Sequence, residues 1–283
     1  MTTTPPTVPF LESSPDLTAT APALLGVPYE GTACFRKGTA RGPDAIRDLS
    51  DGLESYSPRL DRDLADISFA DLGNIMLSVD DPESVTLHVR EACHALFRGQ
   101  TIPILLGGEH SLTAGAVAAA HAAHPGLAVL QLDAHADLRQ EWTATKWSHA
   151  CAMRRVLEFI PSERLLQCGV RSGTREEFAE LRATNRLVAP ERSPLTAALQ
   201  RFGEAPLYLT IDLDIFDPAV LPGTGAPEPG GIDWPSFESL LAVIPWSRVV
   251  ACDLVELAPG LDPTGCSSVL AAKAVREILL SLP

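Results

Sequence analysis

Leu127-Ala-Val-Leu-Gln-Leu132, followed at once by Asp133-Ala-His135-Ala-Asp137, decides how this 283-residue chain folds. The first stretch is an almost unbroken apolar run, the pattern of a parallel strand covered on both faces rather than of a half-exposed strand. The second sets three ligand-type side chains at alternate positions. Alternate residues of an extended segment share one face, so Asp133, His135 and Asp137 point the same way.

Two further apolar runs end in the same manner. Residues 102–106 lead into Gly-Gly-Glu-His-Ser, which places His110 just past a strand. Residues 207–211 lead into Asp212-Leu-Asp214, again two acids on one face. Strand-like runs also occur at 23–27, 165–170 and 249–254. Helical spacing is found at 84–97, 111–124, 147–160, 174–182, 235–243 and 267–280. Alternation of this kind predicts an α/β fold with a mostly parallel sheet. One domain is expected over residues 24–283. The Thr-, Pro- and Ser-rich residues 1–23 form a flexible arm or one that straps across a neighbouring surface. A closed (β/α)8 barrel is the topological alternative, because periodicity does not distinguish an open sheet from a closed one. In either case ligands are expected beyond the carboxyl ends of the strands.

With 22 basic and 36 acidic residues the formal charge is −14. Such a chain is poorly suited to nucleic acid, which demands clustered Lys and Arg; the acidity either serves solubility alone or suits a cationic substrate or metal ions. The six cysteines, at 34, 93, 151, 168, 252 and 266, contain no C-x-x-C pair. They suggest small core residues in a reducing compartment. No apolar run reaches membrane-spanning length, and the amino terminus lacks the basic start and apolar stretch of a secretory signal. A cytoplasmic location with no membrane partner is the expectation.

His110, Asp133, His135, Asp137, Asp212 and Asp214 are the candidate metal ligands. Four carboxylates packed together repel strongly, and some would take up protons without a counter-charge. Two divalent cations balance the four aspartates, and two neutral imidazoles complete the set. Oxygen-rich ligation with some imidazole suits Mn²⁺ better than Zn²⁺. A D-x-D or a Gly-Gly-x-His alone is most often a turn or a solvated strand end; three such strand ends together point to metal. His149, just after the ligand loop, can pass protons near neutral pH or can merely neighbour a helix start. Glu256 ends the run VVACDLVE at the same rim, where it can hold a cation or form a salt bridge. The loop at 222–231 has no Gly-Lys-Ser/Thr ending, which argues against nucleotide binding.

GGEHS, DAHAD, SHAC, DLDIFDP, PGTGAPEPGG and VELAP, in this order, resemble the ureohydrolase (arginase/agmatinase) family from about residue 24 to the end. FRKGTARGPDAIR, the Pro-Glu-Pro-Gly-Gly loop and SHACAMRRV resemble its agmatinase branch. The resemblance implies a three-layer α/β/α sandwich, arginase-like, with two Mn²⁺ per subunit. One ion would take His110, Asp133, Asp137 and Asp212, and the other Asp133, His135, Asp212 and Asp214. It further implies His149 as proton shuttle, Asp137 as proton relay and Glu256 as partner of the substrate guanidinium. Homo-oligomers, trimers or hexamers, are common in the family. The segment LRQEWTATKWS lacks the Asn-containing loop of arginases, which favours agmatine, giving urea and putrescine. Many relatives carry Thr at the position of Ala226 and Asp at that of Glu109. The alternatives are another small cationic guanidino substrate or a guanidino acid, such as arginine or 4-guanidinobutyrate, or a non-catalytic assembly subunit.

Overall fold

The apolar runs become the strands of a single open sheet in the computed structural model, which describes residues 2–16, 21–77 and 81–283. Its strands are β1 (Thr3–Thr4), β2 (Pro22–Val27), β5 (Ala70–Ile75), β6 (Ile102–Gly107), β7 (Ala128–Leu132), β8 (Leu165–Cys168), β9 (Leu187–Val188), β10 (Leu207–Asp212) and β11 (Val249–Val255). Two short strands, β3 (Tyr56–Ser57) and β4 (Arg62–Asp63), form a separate antiparallel ribbon. The order across the large sheet is β1-β5-β2-β6-β11-β10-β7-β8-β9. All its pairings are parallel except β1 with β5. Among the described residues the two ends of the sheet do not pair, so the barrel alternative is set aside.

Alternate residues of the buried strands feed two cores, one on each face. Ile104, Leu130, Leu209 and Leu254 pack with α1 (Gly42–Ser50), α6 (Arg192–Leu199), α7 (Trp234–Leu241) and α8 (Cys266–Ser281). Leu105, Val129, Tyr208 and Ala251 pack with α2 (Pro82–Arg98), α3 (Thr113–Ala123), α4 (Ala152–Val156) and α5 (Arg175–Ala183). The result is helix on sheet on helix, the expected three layers. Burial on both faces is the reason these strands carry almost no alternation of polarity.

The chain leaves a gap between β6 and β7 and fills it last, with β10 and β11. The four strands β6, β11, β10 and β7 therefore lie side by side at the centre, running parallel, and their carboxyl ends share one rim. Reversals of strand order of this kind open a crevice for ligands.

The structure differs from the sequence expectations in two places. Helix α1, strands β5 and β9, and helix α6 are additional to the expected elements, although α1 buries one face through Ile46, Arg47 and Ser50. The helix expected over 147–160 is reduced to a 3-10 turn (His149–Cys151) and the five residues of α4. Tight turns close it on Ile160, and Pro161 bars continuation.

The amino-terminal arm was expected to be either flexible or strapped across a neighbouring surface. Residues 17–20 lie outside the described residues, and over 2–16 the segment is docked along the sheet edge. Thr3 and Thr4 pair with Ile75 and Asn74. Phe10 is buried, its ring edge-on to Phe69 at 6.3 Å. Its backbone N–H donates to the Asp71 carboxylate (3.0 Å), which also receives the buried Arg47 guanidinium at 2.9 Å. One aromatic residue in a polar segment supplies the anchor. Phe10→Ala should lower the unfolding free energy by about 3–5 kcal/mol, the usual cost of emptying a buried phenylalanine site. Urea denaturation measures this, and an unchanged midpoint would mean that the arm contributes nothing to the fold.

Candidate metal centre and substrate cavity

Each candidate ligand sits within a few residues of a central strand end. His110 follows β6, Asp133, His135 and Asp137 follow β7, Asp212 ends β10, and Asp214 lies in the turn just after it. Close packing explains the paired glycines after β6: a Cβ at Gly107 would meet Val255 and Leu112, and one at Gly108 the loop after β2. A Cβ at Gly108 would stand 1.9 Å from the Tyr29 carbonyl oxygen. With no Cβ there, Gly108 and Glu109 donate their N–H groups to Val27 and Tyr29 carbonyls, both at 2.8 Å.

The six side chains converge. His110 Nδ1 stands 3.1 Å from Asp133, 3.0 Å from Asp137 and 3.4 Å from Asp212. His135 Nδ1 stands 2.7 Å from Asp214 and 3.8 Å from Asp133. Two groups have ligand atoms close enough to hold one cation each: His110, Asp133 and Asp212, and Asp133, His135 and Asp214. Asp133 belongs to both groups. Asp212, expected to bridge as well, falls in the first alone, and Asp137 approaches through His110.

The tautomer of His110 tests whether cations fit here. Thr210 donates its hydroxyl to Asp253 (2.6 Å), so its oxygen accepts from His110 Nε2–H (2.8 Å). Neutral His110 is then bare at Nδ1, an atom that is buried without any hydrogen bond. A lone pair aimed at three carboxylates is repulsive unless a cation or a proton lies between them. A divalent metal fits that requirement.

The electrostatics agree. Burial raises the Asp133 carboxyl to about 7, aided by the charges of Asp214 and Asp137. Burial also raises Asp212 well above the carboxylate range, with Asp214 and Asp133 adding to it. Burial alone would lower both histidines, but the surrounding carboxylates outweigh it. They hold His110 well above its ordinary value and His135 at about 11. Without metal, the site therefore stores protons at pH 7.

Two ligand residues and a neighbour rest on further buried side chains that the sequence reading passed over. Gln131 donates to Asp133 (2.6 Å) and is itself held by Gln167 (2.6 Å). Asp253 accepts from Thr210, Tyr208 (2.6 Å) and Thr113 (2.9 Å). Gln167, Gln131, Thr210 and Asp253 are register partners on four adjacent strands, one polar row across the sheet. A signal was present: each is a polar residue interrupting an apolar strand, and Gln131 and Thr210 each fall two residues before a ligand.

Glu256 closes β11 in the left-handed region (φ 67°), as Asp137 does after β7 (φ 52°). For a non-glycine residue this costs about 1–2 kcal/mol. At Glu256 the bend is fixed from both sides, its N–H donating to the Gly108 carbonyl and its carboxylate accepting from His110 N–H at 2.7 Å. Burial, with the charge of Glu109 adding to it, raises Glu256 to about 8. His149 stands at the opposite edge, with Nδ1 3.0 Å from Thr32 Oγ1 and Nε2 3.6 Å from Cys34 Sγ. A cavity of about 160 Å³ is lined by His110, His135, Asp137, Asp212, Asp214, Glu256 and His149. Its outer wall adds Phe35, Arg36, Arg139 and Trp142.

Loading metal into metal-free protein at pH 7 should release protons, because the raised carboxyls of Asp133 and Asp212 and both imidazoles must surrender theirs to bind. Affinity should accordingly strengthen from pH 6 to pH 8. A pH-indicator titration reads both, and binding without proton release would contradict the charge distribution described. Thr210→Val, which strips the acceptor from His110 Nε2–H, should weaken metal retention by about 10–100-fold. Competition with a chelator checks it.

The arginase family model matches residues 20–281. Agmatinase from Bacillus subtilis (strain 168) is 36% identical, over 96% of this chain and 95% of the relative. N(1)-aminopropylagmatine ureohydrolase from Thermococcus kodakarensis is 38% identical, over 87% and 86%. Among solved structures, agmatine ureohydrolase of Thermoplasma volcanium superposes with a TM-score of 0.83 at 33% identity, covering 93% of this chain and 89% of that one.

Proposed function

Because the chain belongs to the arginase family and is an amidinohydrolase of agmatinase-like type, we propose that it hydrolyses agmatine to putrescine and urea with two Mn²⁺ per subunit. One observation carries this reading: the acid–imidazole cluster, the Glu256 carboxylate and His149 face a single cavity. When bound, the metal pair supplies about four units of positive charge and an activated water as nucleophile.

The chain's own groups do the rest. Glu256, held in place by His110 N–H, accepts charge-assisted hydrogen bonds from the planar guanidinium. A bound cation also offsets the burial that raises this carboxyl. Asp137 lies beside the cluster, where it can take up the proton lost by water. The carbon–nitrogen bond to the tail breaks, and His149 delivers a proton to the departing amine. Urea and an alkylammonium are the products, so the positive charge of the guanidinium leaves on the amine. The six free cysteines accord with a cytoplasmic enzyme. No helix among the described residues is long and apolar enough to cross a membrane. Assembly as a homo-oligomer, a trimer or hexamer, belongs to the same proposal.

A second reading has its own support. Two guanidinium groups, Arg36 and Arg139, stand on the cavity wall, while its carboxylates are Asp137, Asp212, Asp214 and Glu256. A guanidino acid such as 4-guanidinobutyrate, with an anionic tail, would be drawn to them.

Urea release from agmatine, N1-aminopropylagmatine, arginine and 4-guanidinobutyrate, with Mn²⁺ added, separates these readings. Agmatine should give the highest kcat/KM, and no urea from any of the four would defeat the proposal. Glu256→Gln should cut kcat/KM for the best substrate by about 100-fold or more, the loss of a charged hydrogen-bond pair. An unchanged value would remove Glu256 from substrate binding.

A further inference from the structure

Behind His149 lies a second buried carboxylate, Glu109, with a threonine between them. Glu109 and Thr32 are both buried. Three short donors converge on the Glu109 carboxylate: Thr32 N–H (2.7 Å), Thr32 hydroxyl (2.6 Å) and Ser111 hydroxyl (2.6 Å). Thr32 therefore spends its only hydroxyl proton on Glu109.

A hydroxyl oxygen then has two lone pairs left to accept with. Both are turned to one residue. The backbone N–H of His149 donates to Thr32 Oγ1 at 3.0 Å, and His149 Nδ1 lies 3.0 Å from the same atom. Since Thr32 Oγ1 has no proton left to give, Nδ1 must carry the hydrogen of that bond. Ser148 Oγ stands farther from Nδ1, at 3.4 Å. The neutral imidazole is thereby fixed with hydrogen on Nδ1 and a lone pair on Nε2, the nitrogen beside Cys34, which lines the substrate cavity.

We propose that Thr32, anchored by Glu109, is the positioning residue that sets the tautomer and orientation of His149, so that Nε2 is the atom exchanging protons with substrate. The inference rests on the role of His149 proposed above. The three parts arrive from three separate segments: the loop after β2, the turn after β6 and the turn before α4. A hydroxyl interposed between carboxylate and imidazole conveys orientation without placing a second negative charge against the ring. That matters at a rim already crowded with carboxylates. It also gives Glu109 a task distinct from the metal ligand beside it.

The test is a double-mutant cycle on the manganese-loaded enzyme, with metal content and thermal melting recorded for each variant. His149→Ala should lower kcat by about 100-fold or more. Thr32→Val should lower kcat by about 10–100-fold, with KM within about threefold of wild type and both metals retained. Thr32→Ser, which keeps the hydroxyl, should restore most of the rate. Thr32→Val in the His149→Ala background should cost nothing further, because the group it positions is gone. Should valine prevent folding, Thr32→Ala removes the hydroxyl without setting a methyl against Glu109. Wild-type kcat in the valine or alanine variant, or a full additional loss in the double mutant, overturns the positioning role. Wild-type kcat in His149→Ala instead overturns the proton role of His149, and the two failures are thereby distinguished.

Discussion

Like-charge repulsion among buried carboxylates is the constraint on which the rest depends. Asp133, Asp137, Asp212 and Asp214 are all buried, and among the described residues their ion pairs come from His110 and His135 alone. No lysine or arginine enters those pairs. Two imidazoles cannot neutralise four carboxylates without borrowed protons or cations. The fold thus keeps a site that is unfavourable when empty and becomes favourable when cations fill it. Such energy is recovered as binding affinity.

A sheet holds this repulsion where a loop could not. β6, β11, β10 and β7 are buried on both faces and run parallel, so their ends are fixed relative to one another. The polar row of Gln167, Gln131, Thr210 and Asp253 then sets the ligands from below. Gln131 holds one oxygen of Asp133, and Thr210 decides which nitrogen of His110 faces the cluster. The backbone contributes as well. Glu256 follows the last residue of β11 in the left-handed region, and Asp137 takes the same conformation in the loop after β7. Strain of that kind persists only where surrounding contacts over-determine it, as the two hydrogen bonds of Glu256 do.

The same logic recurs at two of the functional imidazoles. His110 leans on Thr210 and Asp253, and His149 on Thr32 and Glu109. In both, a hydroxyl gives its proton to a buried carboxylate and so can only accept from the ring. The outcomes are opposite because different ring nitrogens are held: His110 is freed at Nδ1 for a metal, and His149 at Nε2 for a proton. Carboxylates placed one residue farther from the ring orient it without adding to the crowding.

The sequence by itself determined the α/β class, the parallel strands and the candidate ligands at their ends, while the layered arrangement followed only from the family resemblance. The first three depend on local rules: buried parallel strands are continuous apolar runs, and alternate residues share a face. It also exposed Glu256 and His149, since each stands beside a strand end or ligand loop. Tertiary structure alone decided what depends on strand order. That β10 and β11 fill the gap between β6 and β7 brings His110 against Asp212, 102 residues away, and no periodicity encodes it. Docking of the amino-terminal arm likewise rests on a contact between distant segments, the Phe10 N–H on the Asp71 carboxylate that also holds Arg47. Gln131, Thr210, Asp253, Thr32 and Glu109 were visible as polar residues in apolar or loop settings. Their partners became identifiable only once separate segments met, because a hydrogen-bond role is a relation between atoms that the linear order does not fix.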